Sequence, residues 1–372
     1  MKIKYIVFFL LLLSGCIEEY IPKGIEEVSD LLVVEGSITD NESVFKLSRS
    51  VGLSESLRDS ETVDNAELYI ETEEGDRMVG LFSGNGHYVV PTGNLYAEKK
   101  YRLRISIAGE EYESTYLAPL FTPQIDSVFP MKRGPGESVH MCVSTHDSKN
   151  QSRYYVWSYK EVWEVKAELF ANVGIVNDNL VFFDLNSSNN TYYCWGRDSS
   201  KVLILASSEK LSENVISQKR LVEIPCDDDK LSILYYINVE QKQVRKEAYD
   251  YYSNIQKNIE QTGSIFAPVP SEMKGNIRSI TNPDLPVIGY IDVSTIVRRE
   301  LYVPQEQGLY EAPRGYCYSQ VTDDSDFAYP NYAYYQYNPG EPTKWAPFNC
   351  VDCRMKYRAS KNKPDFWPTN HL

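Results

Sequence analysis

Cys16 is the residue whose position most clearly specifies a chemical reaction. It follows a short basic start and an apolar run that ends in small residues. The run is too short to span a bilayer comfortably, which is typical of a secretory signal. The stretch Leu13-Ser14-Gly15-Cys16 also matches the bacterial lipobox, in which the cysteine thiol is acylated and the preceding peptide is removed. The sequence therefore predicts a signal peptide over residues 1–15 and a lipidated Cys16, with an uncleaved N-terminal anchor as the alternative.

Six further cysteines follow the predicted signal, and an even number outside the cytoplasm permits disulfides with fifteen possible pairings. Cys350 and Cys353 form a C-x-x-C motif. Their neighbours do not supply the strand-to-helix context of a redox motif, and no second C-x-x-C or H-x-x-H completes a zinc site. We therefore predict structural disulfides in which these two cysteines bond to different partners, such as Cys317 and Cys194. The remaining candidates are Cys142 and Cys226.

Catalytic motifs are sparse. The chain has four histidines, and it contains no H-E-x-x-H, no G-x-S-x-G and no phosphate-binding glycine loop. We therefore predict that the protein is not an enzyme and needs no cofactor. A polymer hydrolase that uses two carboxylates has no sequence signature, and it is kept as the least favoured alternative.

Two patterns resemble metal sites but favour simpler interpretations. His140, Cys142 and His146 would share one face of a strand, although a half-buried strand with a bridged cysteine is the favoured interpretation. Two acidic turns lack the glycine and the terminal glutamate of a calcium loop, which favours solvated turns. Their members are Asp227, Asp228, Asp229, Asp323, Asp324 and Asp326. The sequence therefore predicts no metal site.

A cluster of aromatic residues near the C-terminus is a candidate binding surface, because tyrosine and tryptophan give contact area with few rotatable bonds. Its members are Tyr329, Tyr332, Tyr334, Tyr335, Tyr337 and Trp345. The alternative is that the rings cover a sheet edge.

The charge of the chain excludes one class of partner. With 52 acidic and 38 basic residues, the formal net charge is −14, and no basic patch suited to phosphates is visible. We therefore predict that nucleic acid is not a partner and that the lipid itself supplies the membrane attachment.

The elements that must position these groups are mainly β-strands. Residues 16–30 are acidic and aperiodic, as expected of a lipidated tether. Short alternating runs over 31–120 predict an immunoglobulin-like or transthyretin-like sandwich, and 121–304 predicts a larger β-rich domain. That domain contains one amphipathic helix at about 241–262, and 305–372 is expected to be an irregular segment packed on it.

Several stretches resemble a known family. They include "LVVEGSITD", "EAYDYYSNI", "GSIFAPVPSEMKGNI", "NPDLPVIGYIDVS", "CVDCR" and "KNKPDFWP". In these the chain resembles the outer-membrane lipoprotein family of the Bacteroidota catalogued as domain of unknown function 4249 (DUF4249). Cys194, Cys317, Cys350 and Cys353 are the cysteines most similar to those of the family.

The resemblance implies a location and a role more than a reaction. Members of the family tend to be encoded beside TonB-dependent transporters, and the pair Glu18-Glu19 resembles a surface-export signal. We therefore expect a lipid-anchored protein at the outer membrane, facing the cell surface, that helps a TonB-dependent transporter to capture a substrate. The ligand would be a peptide, a glycan or a metal chelate. The alternative is a surface adhesin or structural lipoprotein.

Overall fold

The computed structural model describes residues 30–51, 61–177, 179–185, 190–261, 275–306, 308–313, 315, 317–322, 332–336 and 338–368. The predicted signal peptide, Cys16 and the pair Glu18-Glu19 lie outside these residues. Within them the fold is mainly β, as the sequence predicts. Among the helices of the described segments, none is long and apolar enough to cross a membrane.

The elements follow one another in this order. The strands are β1 (Leu32–Gly36), β2 (Asn41–Arg49), β3 (Glu67–Thr72), β4 (Arg77–Val79), β5 (Leu81–Gly84), β6 (His87–Gly93), β7 (Tyr101–Ile107), β8 (Glu110–Ser114), β9 (Ile125–Met131), β10 (Val139–His146), β11 (Tyr154–Lys166), β12 (Val173–Val176), β13 (Asn179–Phe182), β14 (Tyr193–Ser199), β15 (Ile204–Ser207), β16 (Val215–Ile224), β17 (Leu234–Gln243), β18 (Ile277–Ser279), β19 (Ile296–Pro304), β20 (Tyr332–Gln336), β21 (Lys344–Pro347) and β22 (Ala359–Ser360). The α-helices are α1 (Lys246–Gln261) and α2 (Phe348–Val351).

The first sandwich packs the sheet β1-β2-β6-β5 against the sheet β18-β8-β7-β3-β4. Strand β7 shows why these residues form the sandwich, because Leu103, Ile105 and Ile107 are buried while the alternating Arg102 and Arg104 are half-buried. This alternation puts the apolar side chains on one face of the pleat. They join one core with residues of the facing sheet, including Phe45 and Val90.

A return segment, residues 275–294, completes the first sandwich from far along the chain. Strand β18 pairs with β8, and the segment then runs parallel to β1. The Val34 amide donates to the Ile288 carbonyl at 2.8 Å, and the Ile38 amide donates to the Asp292 carbonyl at 2.9 Å. The sequence places these residues in the second domain, whereas the structure adds them to the first. Pairing over such a separation leaves no local signal in the sequence.

The second sandwich packs the sheet β16-β10-β9 against the larger sheet β19-β17-β11-β14-β22, in which β15 also pairs with β11. Its core contains Met141 and Val143 from the smaller sheet, and Trp157 and Tyr235 from the larger one. The opposite face of the larger sheet is covered by α1, which packs Ala248 against Val156 and its neighbours. The cavity described below lies on that outer face.

Helix α1 begins later than the sequence predicts. Residues 241–243 belong to β17, where Lys242 pairs with Val156 on one side and with Ile296 on the other. The prediction was wrong there because two neighbouring strands hold these residues in an extended conformation, and their local preference does not decide it. The carboxylate of Asp292 accepts the amide of Arg245 at 2.9 Å, just before the first helical residue.

Two disulfides attach the C-terminal segment. Cys194 bonds to Cys353, and Cys317 bonds to Cys350. The C-x-x-C cysteines therefore have different partners, which are the ones that the sequence suggested. The segment is less irregular than expected, since β20 and β21 form a hairpin and β22 pairs with β14.

Cys142 and Cys226 are both free, so their place among the candidate disulfides was wrong. Cys142 is buried in β10, where its register partner is Arg220. Cys226 lies six residues beyond that partner, and each residue of a strand adds about 3.3 Å. The two cysteines are therefore too far apart to be bridged.

Candidate ligand-binding site

A cavity of about 480 Å³ lies where the outer face of the larger sheet of the second sandwich meets α1 and the first sandwich. Volumes of about 300–1,000 Å³ are typical of small-molecule sites. Its walls come from β1, β11, β17, α1 and the return segment. The cavity therefore depends on both sandwiches, and neither forms it alone.

Strand alternation explains which side chains reach this cavity. Trp157 and Gln241 point into the core of the second sandwich, where the Trp157 indole donates to the Gln241 side-chain oxygen at 2.8 Å. Val156, Ser158 and Lys242 are their sequence neighbours and line the cavity on the other face. Alternation along β11 and β17 thus directs one set of side chains into the core and the other set into the cavity.

Tyrosines form much of the remaining wall. Tyr251 and Tyr252 lie on α1, and Tyr290 lies on the return segment. Burial raises the pKa of Tyr251 to about 12 and the pKa of Tyr290 to about 12, and it also raises the pKa of Tyr252. All three rings are consequently neutral at physiological pH, and they present apolar faces with a hydroxyl at the tip.

The polar corner of the cavity, which we call the Lys242 site, consists of Ser37, Lys242 and Ser294. The Lys242 Nζ donates a hydrogen bond to the Ser37 Oγ at 2.7 Å. Within the described part of the chain, Lys242 forms no salt bridge. Desolvation lowers the pKa of Lys242, and the more distant Glu240 and Asp292 oppose this shift. A buried ammonium without a close countercharge is costly, so this corner is electrostatically incomplete.

Ser294 is the second residue of this corner whose hydrogen bonding is incomplete. Its side chain is 1% exposed, and its Oγ has no hydrogen-bond partner among the described residues. Its backbone is held in place, because the Ser294 amide donates to the Ile38 carbonyl at 3.0 Å. An unsatisfied buried hydroxyl costs about 1–3 kcal/mol.

The carboxylates that line the cavity are already engaged. Asp292 accepts the Arg245 amide and the Val293 amide at 2.9 and 2.8 Å, and it forms a salt bridge with the Arg245 guanidinium. Glu35 is largely exposed and lies 3.8 Å from Lys46. Both carboxylates of the lining are therefore held by neighbouring basic residues.

A close backbone approach fixes the return segment at the cavity. Gly289 has φ of +152°, and a Cβ built there would lie 2.4 Å from the Val34 carbonyl oxygen. Only glycine fits such a contact without displacing the neighbouring strand. Gly289 therefore sets the separation between the return segment and β1, and with it the shape of the site.

The predicted tyrosine cluster is not part of this cavity. Tyr329 and Tyr337 lie outside the described residues, as do the side chains of Tyr332 and Tyr334, whose backbones form β20. Tyr335 is half-buried and packs on the small core around the Cys317–Cys350 disulfide. Trp345 is also half-buried, on β21. For Tyr335 the structure favours the covering role over the contact surface.

The possible metal patterns also resolve into structural roles. Shifts of register in β10 break the alternation between His140 and His146, and His146 lies 2.7 Å from Asp126 instead. Asp228 accepts the Lys230 amide at 2.9 Å, and Asp229 lies 2.7 Å from the Lys356 Nζ. No group of three potential metal ligands occurs in the portions of the chain that the structure describes. Asp323, Asp324 and Asp326 fall outside those portions.

Sequence reasoning missed Lys242 and Ser294. A lysine that alternates with Gln241 and Gln243 is typical of a solvent-facing strand position, and the residues that cover it come from distant segments. A usable signal was nevertheless present in the quoted stretches. "LVVEGSITD", "EAYDYYSNI" and "NPDLPVIGYIDVS", which carry part of the family resemblance, all contribute to the cavity wall.

Comparison with known proteins identifies a family. The family model described as Domain of unknown function (DUF4249) matches residues 17–300, which is more than half of the chain. The matched range contains every residue that lines the cavity. A search of the curated proteins finds no match.

Proposed function

The chain belongs to the DUF4249 family, and from this premise we propose that it is a non-enzymatic binding protein that captures a small ligand in the cavity between its two sandwiches. The observation that carries the proposal is the Lys242 site, where the ammonium has only the Ser37 hydroxyl as a partner and the buried Ser294 hydroxyl has no partner among the described residues. Buried polar groups with incomplete hydrogen bonding are rare in folded proteins, and binding of a ligand would complete both.

We further propose that the protein works at the outer membrane. The lipobox cysteine Cys16 supports lipid anchoring, and the pair Glu18-Glu19 supports exposure on the cell surface. The family resemblance supports an accessory role beside a TonB-dependent transporter, to which the captured ligand would be passed. A pull-down in mild detergent should recover a β-barrel transporter, and its absence would contradict this part of the proposal.

Analysis of co-purified compounds tests the binding function itself. The full chain is purified from its native membrane and denatured, and the released small molecules are identified by mass spectrometry. A Ser158→Trp variant fills the cavity, because Ser158 lines it on β11. A Ser217→Trp variant is the matched control, since Ser217 is exposed on β16 and outside the lining.

The proposal predicts that the wild type and Ser217→Trp release the same compound and that Ser158→Trp does not. Identical released compounds from all three proteins would contradict it. A deletion strain adds a biological readout, because a growth defect on one nutrient supports capture, whereas lost attachment with normal growth supports the adhesin alternative.

A further inference from the structure

We infer that the Lys242 site binds the carboxylate head of a small ligand whose apolar or aromatic body occupies the rest of the cavity. This inference rests on the proposed binding function and adds the chemical class of the ligand. It follows from the kinds of hydrogen-bonding groups that meet at Ser37, Lys242 and Ser294.

The free polar groups of the site are donors. The Lys242 ammonium carries three N–H groups, of which one is used on the Ser37 Oγ. Because that oxygen accepts from Lys242, the Ser37 hydroxyl hydrogen remains available to donate. The Ser294 hydroxyl also has no acceptor within the described segments. A ligand group that only accepts hydrogen bonds and carries negative charge would satisfy all three, as an ionised carboxylate does.

The charged residues around the Lys242 site indicate that the ligand carries one negative charge. Lys242 is the cation inside the cavity, whereas Lys201, the other lysine of the lining, is exposed. Arg245 is paired with Asp292 and does not line the cavity. Phosphate recognition usually uses several cations or a bidentate arginine, and this lining offers neither. One buried ammonium matches one carboxylate.

The rest of the lining indicates the nature of the ligand body. Val156, Val244, Ile255 and Ile288 present apolar surface, and the tyrosine rings of α1 add flat faces suited to stacking. Such walls would leave the hydroxyls of a glycan largely unsatisfied. An apolar monocarboxylate is therefore the class that fits both ends of the cavity.

Matched probes test this assignment. We chose phenylbutyrate and its neutral amide, phenylbutyramide, because they share one body and differ in charge at the head. Binding of each to the full chain is measured by calorimetry. A charge-assisted hydrogen bond in a buried site predicts that the wild type prefers the carboxylate by roughly tenfold to a hundredfold.

Substitutions assign the preference to the site. Lys242→Met and Lys242→Gln should both remove the preference, because they lower the affinity for the carboxylate much more than the affinity for the amide, and Ser294→Ala should weaken carboxylate binding several-fold. Lys219→Met is the matched control, because Lys219 is also half-buried and its pKa is also lowered by burial, yet it lies outside the lining. This control should keep the full preference.

The outcomes separate this inference from the function on which it rests. Equal wild-type affinities for the two probes, or a preference that survives in both Lys242 variants, would overturn the carboxylate assignment. If Ser158→Trp then still abolishes binding of both probes, the cavity remains a binding site. If neither probe binds the wild type, the carboxylate assignment fails, and the released-compound experiment reports separately on the binding function.

Discussion

Two half-buried lysines on the second sandwich differ in how completely their surroundings satisfy them. The Lys230 cluster consists of Glu161, Trp163, Lys230 and Tyr235. The Lys230 Nζ lies 2.6 Å from the Glu161 carboxylate and 4.4 Å from the centre of the Trp163 ring. The second oxygen of Glu161 accepts the Tyr235 hydroxyl at 2.7 Å. In the Lys242 site, by contrast, the ammonium has only the hydroxyl of Ser37.

This difference supports a structural role for Lys230 and the proposed binding role for Lys242. In the Lys230 cluster every charged group has a partner, so the cluster stabilises one arrangement and offers nothing to a ligand. In the Lys242 site the protein supplies hydrogen-bond donors beside a cavity, and no carboxylate of the described residues pairs with the ammonium. Burial alone therefore does not identify a binding residue, and we assign a binding role to Lys242 because it combines burial, the lack of a close countercharge and a place in the cavity wall.

The largest expected effect comes from breaking the Lys230 cluster. Glu161→Gln leaves the Lys230 ammonium without its countercharge, and we expect a loss of about 3–5 kcal/mol in the free energy of unfolding. Lys242→Met removes a charge that has no close countercharge, so the stability of this variant should equal or exceed that of the wild type. Urea denaturation of both variants measures the contrast. Similar losses in the free energy of unfolding of the two variants would contradict the different roles of Lys230 and Lys242.

The disulfide beside the Lys230 cluster provides the next test. Cys194 and Cys353 are 159 residues apart in sequence, and both are buried in the core of the second sandwich. Replacing both with serine should cost about 2–4 kcal/mol, since the bond closes a long loop. Because the Lys242 site lies on the opposite face of the sheet, probe binding should be unchanged at a temperature where the variant is folded. Lost binding with an intact fold would show that the two regions are coupled.

The close contact between the return segment and β1 predicts a smaller effect on stability. Gly289→Ala places a methyl group 2.4 Å from the Val34 carbonyl oxygen, and we expect a loss of about 1–3 kcal/mol together with weaker probe binding. Gly109 is the control, because it also has a positive φ but a Cβ there meets nothing within 4 Å. Gly109→Ala should be less destabilised and should bind normally. Thermal unfolding and calorimetry distinguish the two variants.

The smallest expected effect is a dependence on pH that is specific to Lys242. Its pKa is lowered by burial in the folded state, so the unfolded chain binds more protons between that pKa and 10.5. The stability of the wild type relative to Lys242→Met should therefore rise with pH through this window and stay constant below it. Denaturation midpoints of both proteins, measured from neutral to alkaline pH, test the sign. Parallel plots of stability against pH for the two proteins would contradict a lowered pKa of Lys242 in the folded state.

The sequence predicted local features better than it predicted the site. Alternation in "YRLRISI" predicts a strand with one buried face, and the structure has that strand as β7. The C-x-x-C spacing suggested separate partners for Cys350 and Cys353, and the structure pairs them with Cys317 and Cys194. The helix pattern was detected, but its start was misplaced, because pairing with β11 and β19 extends β17 to Gln243.

The site itself depends on contacts between distant residues, so local patterns did not reveal it. Ser37 and Lys242 are 205 residues apart in sequence, and Ser294 comes from the return segment. Nothing near Lys242 distinguishes it from a surface lysine such as Lys160. The tyrosine cluster attracted attention because its composition is unusual, whereas the residues of the cavity are ordinary types in an unusual environment.

The pKa of Lys242 with and without a ligand directly tests whether this lysine binds a carboxylate. Carbon-13 NMR of lysine-labelled full chain follows its ammonium, and the resonance is assigned by its absence in Lys242→Met. Saturating phenylbutyrate should raise the pKa of Lys242, because a nearby carboxylate favours the charged form, and phenylbutyramide should not raise it. An unchanged Lys242 pKa at saturating phenylbutyrate would contradict carboxylate binding at the Lys242 site.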